Sequence, residues 1–179
     1  KRGLCMKGDG IFYRTIWLSS NGWAVEIIDQ TKLPFKFVTI RLENLEEAVS
    51  AIADMQVRGA PLIGATGAYG MALAARFNSS DEYLKEAYGL LLSARPTAVN
   101  LRWALDKLIN MLVNLPISER ESVAYEEAAK MGDHDVSICS SIGDHGKALI
   151  ASFIAKKADK SPINILTHCN AGWLATVDW

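Results

Sequence analysis

Seventeen consecutive residues, Gly59 to Ala75, carry no charge, and Gly64, Gly67 and Gly70 stand within them at intervals of three. That length reaches the lower bound for a membrane span, and small residues at helical spacing suit close packing in lipid. The run is mostly Ala and Gly, however, so its transfer into lipid is weakly driven, and it is the only such stretch in the chain. A helix that is apolar all round belongs in the core of a globular protein. Each glycine costs about 1 kcal/mol of helix propensity, and in return lets a neighbouring backbone come close.

Composition agrees with a globular chain. Half of the 179 residues are apolar and 22% are charged, which excludes disorder as a description of the whole. The 19 basic and 20 acidic side chains leave a net charge of −1, so there is no basic footprint for nucleic acid or an anionic membrane. Three cysteines, Cys5, Cys139 and Cys169, form no C-x-x-C pair, and an odd, dispersed set points to a reducing compartment. Lys1 to Asp9 is charged with no apolar signal core behind it, and Met6 reads as a start with an upstream remnant before it. A cytoplasmic location is expected.

Arg14 to Leu18 and Trp23 to Ile28 flank Ser19-Ser20-Asn21-Gly22, which predicts a hairpin with a two-residue type I′ turn at Asn21-Gly22. Asp29 to Pro34 then turns into an extended piece, Phe35 to Leu42. Asn44 caps a helix with Glu46 and Glu47 in its first turn, and Leu45, Ala48, Val49, Ile52, Ala53 and Met55 follow the helical period. Arg58-Gly59-Ala60-Pro61 ends that helix and begins the next, with Pro61 in the first turn. Ser79 or Ser80 caps Asp81 to Ser93, Arg95-Pro96-Thr97 interrupts, and Asn100 to Asn114 is amphipathic through Leu101, Leu105, Leu108, Ile109 and Leu112. Ser118 and Glu121 have capping-box spacing for a helix within Ser118 to Met131. A further helical stretch, Asp133 to Lys157, is expected to break near Gly143 or Gly146, and Ile163 to Thr167 reads as a short buried strand.

That strand and the following Cys169-Asn170-Ala171-Gly172 have the pattern of the first strand and turn of a parallel α/β sheet. The expected class is α+β: a mainly helical N-terminal domain with an N-terminal β-hairpin or small antiparallel sheet, then the first strand of a truncated Rossmann-like α/β domain. The expected division is a tail over 1–10, a β-hairpin region over 11–42, a helical domain over 43–160 and the start of the α/β domain over 161–179.

Cys169 is the sharpest chemical candidate, because α/β folds display reactive groups where a strand gives way to a turn. A helix beginning just after it would favour the thiolate, whereas a cysteine buried there would act as a small hydrophobe. Cys139, on a helix among small residues, reads as structural, and Cys5 carries no signal. Arg58 and Arg95 each precede a proline at a helix break. A guanidinium beside free helix N–H groups makes a phosphate cradle, although two surface arginines near caps would show the same pattern. His134, Asp135, Cys139, His145 and His168 are metal-ligand types without a compact motif, and His168 and Cys169 would face opposite sides of a strand. No metal site and no Cys–His nucleophile is expected. The tryptophans read as packing residues, with Trp173 and Trp179 exposed.

Three segments in order and register then resemble a known family. Val57-Arg58-Gly59-Ala60-Pro61-Leu62-Ile63-Gly64, Ala94-Arg95-Pro96-Thr97-Ala98-Val99-Asn100-Leu101 and Thr167-His168-Cys169-Asn170-Ala171-Gly172-Trp173-Leu174-Ala175-Thr176 are similar to the methylthioribose-1-phosphate isomerases, and Ile28 to Pro34 and Ile142 to Gly146 fit as well. That family is homologous to the regulatory subunits of translation initiation factor 2B and has a ribose-1,5-bisphosphate isomerase branch. The intact Cys-Asn-Ala-Gly segment favours the methylthioribose branch. The resemblance implies conversion of the aldose 5-methylthioribose 1-phosphate to the ketose 5-methylthioribulose 1-phosphate, a step of methionine salvage. It implies Cys169 as catalytic, and Arg58, Gly59, Ala60 and Arg95 as holding the phosphate and sugar oxygens. No metal or organic cofactor is implied.

The family's second catalytic group, an aspartate of the C-terminal α/β domain, lies beyond residue 179, and Asp144 and Asp178 are not its equivalents. The chain is therefore expected to be the N-terminal half of an isomerase, inactive in this truncated form. Its expected partners are a phosphorylated sugar and a second copy in a homodimer, with neither nucleic acid nor membrane. Two other classes compete: a regulatory module that binds a sugar phosphate without turnover, and a remnant that only dimerises.

Overall fold

The computed structural model describes residues 7–8, 11–157, 159 and 161–179, so Cys5 and Met6 lie outside the described residues. In chain order come five short strands, β1 (Lys7–Gly8), β2 (Ile11–Phe12), β3 (Ile16–Leu18), β4 (Val25–Ile28) and β5 (Thr39–Leu42). Five helices come next, α1 (Leu45–Ala53), α2 (Ala60–Phe77), α3 (Asp81–Ala94), α4 (Val99–Leu112) and α5 (Ile117–Lys156), then a 3-10 turn at Trp173–Ala175.

The uncharged run is α2, and every residue from Leu62 to Ala75 is buried. It forms the axis of the fold, packed against α1, α3, α4 and α5. A β-carbon at Gly67 would fall 2.4 Å from Leu101 Cδ1, and one at Gly64 would fall 3.0 Å from the Asn100 carbonyl oxygen. The glycines are what let α4 lie against the α2 backbone. Among the described residues, no helix is long and apolar enough to cross a membrane.

β3, β4 and β5 form an antiparallel sheet in that order, with Ile27 opposite Ile16 on one side and Ile40 on the other. The expected hairpin is present, but its turn is longer than two residues. Asn21 Oδ1 accepts the Trp23 and Ala24 N–H groups, and the Gly22 N–H donates to the Ser19 carbonyl. Only Gly22 takes positive φ, at 82°, whereas a type I′ turn needs it at both central positions.

Asn44 caps α1 as expected by accepting the Glu47 N–H, and the Glu47 carboxylate accepts the Glu43 N–H in return. The helix stops at Ala53, and Met55 turns into the left-handed region, so Ala53 and Met55 are exposed rather than core residues. Ser80 caps α3, and Asp81 and Glu82 fill its first turn.

Two expectations are corrected at the C-terminal side. Residues 118–131 and 133–156 belong to one continuous 40-residue helix, α5, which starts after Pro116 and ends before Lys157, and Ser118 makes no capping box. Nothing packs within 4 Å of where a side chain would sit at Gly143 or Gly146, so no neighbouring element forces a bend there. Second, residues 163–167 form neither a strand nor a buried segment. They have no regular structure and pair with no strand among the described residues, with Ile165 71% and Leu166 98% exposed.

Candidate functional site

The N-terminus of α2, the connection from α3 to α4, and Cys169-Asn170 enclose an open cleft of about 500 Å³. Arg58, Gly59, Ala60, Arg95 and Cys169, the five residues singled out in the sequence, all line it, with Met55, Ile63, Thr97, Ala98 and Asn170 completing the wall.

Local sequence explains how each arrives there. Gly59 is the N-cap of α2 at φ 96°, ψ 143°, and Arg58 stands one residue before it. Pro61 is tolerated because the first-turn N–H it lacks has no helical acceptor. Arg95 ends α3, and its carbonyl accepts the Ala98 N–H, closing the tight turn that launches α4. The caps differ in a telling way. α1 and α3 carry side-chain caps and first-turn acids, whereas α2 and α4, whose N-termini open into the cleft, have neither. Two helix N-termini thus present uncapped N–H groups and their positive dipole ends to one space. Neither the Arg58 nor the Arg95 guanidinium has an ion pair or hydrogen bond among the described residues. The cleft is suited to a small phosphorylated anion.

Cys169 is a free, exposed thiol held at φ 64°. It sits in a bend rather than at the end of a strand, and the chain after it forms a three-residue 3-10 turn rather than an α-helix. The helix that would have favoured its thiolate is absent from the described residues. Cys139, by contrast, is half-buried on α5, where burial pushes its thiol pKa up, with Asp135 adding to the rise. No three His, Cys, Asp or Glu side chains among the described residues gather as metal ligands would.

The segment behind Cys169 is docked firmly. Ala175 and Val177 are buried, and Trp173 is half-buried rather than exposed as expected. The Gln30 side-chain amide donates to the Leu174 carbonyl at 2.6 Å, and the Thr15 N–H donates to the Val177 carbonyl at 3.0 Å. The Thr15 hydroxyl donates to the Thr176 carbonyl at 2.5 Å, and the Val177 N–H donates to Asp135 Oδ2 at 2.8 Å. A β-carbon on Gly59 would fall 2.4 Å from Ala175 Cα, so the segment lies directly against the N-cap of α2. Thr15 gives no functional signal in the sequence and Asp135 stands out there only as a metal-ligand type, since each makes this contact with a residue more than 40 positions away. Gln30 lies within Ile28 to Pro34, a segment that fits the resemblance without being given a role by it.

Residues 56–177, which hold the whole cleft apart from Met55, match the initiation factor 2 subunit family. The chain is 56% identical over 174 residues to a methylthioribose-1-phosphate isomerase of Paramagnetospirillum magneticum, covering 97% of this chain and 48% of that protein. Among solved structures, it is similar to translation initiation factor eIF-2B, subunit delta, from A. fulgidus, with a TM-score of 0.76 and 40% identity over 93% of this chain and 48% of that one. It is also similar to 5-methylthioribose 1-phosphate isomerase from Pyrococcus horikoshii OT3, with a TM-score of 0.75 and 36% identity over 93% of this chain and 46% of that one. The chain thus spans about half the length of the curated isomerase it matches.

Proposed function

Since the chain belongs to the initiation factor 2 subunit family, we propose that it carries the phosphate cradle and the thiol of a sugar-phosphate isomerase acting on 5-methylthioribose 1-phosphate. The observation that carries this reading is the convergence of Arg58, Gly59, Ala60, Arg95 and Cys169 on one cleft. Names borne by relatives more than half identical over nearly the whole chain support the choice of substrate.

The reaction is an internal redox exchange. The ring C1–O bond breaks, the C2-bound hydrogen passes to C1, the C2 hydroxyl gives up its proton as it becomes a ketone, the freed ring oxygen takes up a proton to become the C4 hydroxyl, and the phosphate stays on C1. No outside oxidant or reductant is consumed, so the site must hold the phosphate and handle protons beside C1 and C2. Arg58, Arg95 and the N-termini of α2 and α4 take the first task, and Cys169 takes the second. The acidic partner implied by the resemblance is not supplied by Asp144 or Asp178, so residues 1–179 alone are expected to bind the sugar phosphate with turnover near background.

The test measures binding and ketose formation with the purified 179-residue chain. Saturable binding should weaken about 10- to 100-fold in Arg58→Ala and in Arg95→Ala, the size of a lost charge-assisted hydrogen bond. Binding that is absent, or indifferent to both substitutions, would sink the proposal. Turnover abolished by Cys169→Ala would show instead that the chain supplies its own acid–base partner. The likeness to the A. fulgidus subunit favours a second reading, in which the cleft binds a sugar phosphate as a regulatory ligand. Equal affinity for aldose and ketose, unchanged by Cys169→Ala, would select it.

A further inference from the structure

We propose that Asp135, with Thr15 and Gln30, forms a clasp that holds the segment Trp173 to Val177 against the helical body, and that this clasp is what keeps Cys169 in the cleft beside Arg58 and Arg95. It rests on the reading that Cys169 works at that cleft, and assigns positioning residues that lie outside it.

Residues 161–170 have no regular structure, and nearly all of them are exposed. Among the described residues, no hydrogen bond holds residues 163–168 to the helical body. On the other side of Cys169, four residues further on, the 3-10 turn begins, and the chain is then tied down at Leu174, Thr176 and Val177. The ties come from three separate places: Thr15 ahead of β3, Gln30 after β4, and Asp135 on α5. Buried Ala175 fills the space left by Gly59, which joins the clasp directly to one wall of the cleft.

Asp135 has the most specific role of the three. Its carboxylate is partly withdrawn from water and accepts the backbone N–H of Val177, a residue only 1% exposed. A buried N–H left without an acceptor is costly, so removing that oxygen should release the clasp. Asparagine at this position keeps an acceptor oxygen and should hold it.

The measurement is the alkylation rate of Cys169 by anionic iodoacetate relative to neutral iodoacetamide, followed on the Cys169 peptide by mass spectrometry. A thiol held beside two guanidiniums should prefer the anion about tenfold over the same thiol in an unstructured peptide. Asp135→Ala should bring the ratio down to the peptide value, Asp135→Asn should keep it, and Gln30→Leu should lower it in part. A wild-type ratio equal to that of the peptide would overturn the proposal. So would a raised ratio that both Asp135→Ala and Gln30→Leu leave intact. If Asp135→Ala does not melt cooperatively, Gln30→Leu against Asp135→Asn decides. Protection of Cys169 by 5-methylthioribose 1-phosphate, read in the same samples, reports separately on the proposed function. Its absence beside an intact charge preference overturns that reading and leaves the clasp standing.

Discussion

Asp135 shows how one side chain can couple stability to pH. Its desolvation raises the carboxyl pKa above the ordinary 3.8, outweighing the opposing pull of the Val177 N–H and of His134. A raised carboxyl binds its proton more tightly folded than unfolded, so its contribution is fully present below pH 3.8 and is lost as pH rises through the folded value. Asp135→Asn removes the desolvated charge and keeps the acceptor. Its melting temperature should therefore exceed the wild type's at pH 7, and the gap should close as pH falls below about 4; a gap that widens on acidification would show that the carboxylate is stabilising. Gly59 illustrates what is legible at this scale. Its place before Ala60-Pro61 marks a helix start in the sequence, but the approach of Ala175 does not, because that contact joins residues 116 positions apart.

Among the elements, α5 departs furthest from expectation, and the reason lies in where it is supported. Its buried residues, Arg120, Ala124, Ala128, Met131 and Gly132, all fall in the first 16 of its 40 positions. Arg120 is the anchor. It is 5% exposed and donates to the carbonyls of Leu115, Ser79 and Val113 and to the Asp81 carboxylate. One guanidinium thereby ties the start of α5 to the ends of α2 and α4 and to the first turn of α3. Arg120→Met keeps the bulk and removes every donor, which should cost about 1–3 kcal/mol in a denaturant titration, from carbonyls left without a donor; a loss below about 0.5 kcal/mol would show that water replaces the guanidinium. The helices themselves are readable from apolar spacing and caps, since these depend on neighbours three and four residues away. Whether Gly143 and Gly146 break α5 is not a local question, and neither is the pairing of residues 163–167. Both depend on what packs against them.

The whole molecule divides between a densely packed body around α2 and an extended limb. Ile138, Ile142, Leu149 and Phe153 recur at spacings that put them on one face of α5, and all four are between 44% and 64% exposed. Apolar surface of that extent associates in water, so gel filtration of the wild type should move to larger size with concentration. Leu149→Glu with Phe153→Glu should hold it as a monomer with its melting temperature unchanged, because neither side chain contributes to the core. A concentration-independent monomer in the wild type would refute this. The cleft belongs to the body, yet one of its walls, Cys169-Asn170, comes from more than 70 residues further along the chain. Thr15 reaches across 161 and 162 residues to Thr176 and Val177, a closure that would cost an isolated chain roughly 4–5 kcal/mol in entropy. Once the helices have assembled, only the span after Lys156 remains to be closed. The packing of the body around α2 and the helix ends that form the anion cradle do not depend on that closure, whereas the thiol's wall of the cleft does: it is complete only while Thr176 and Val177 stay bound to Thr15.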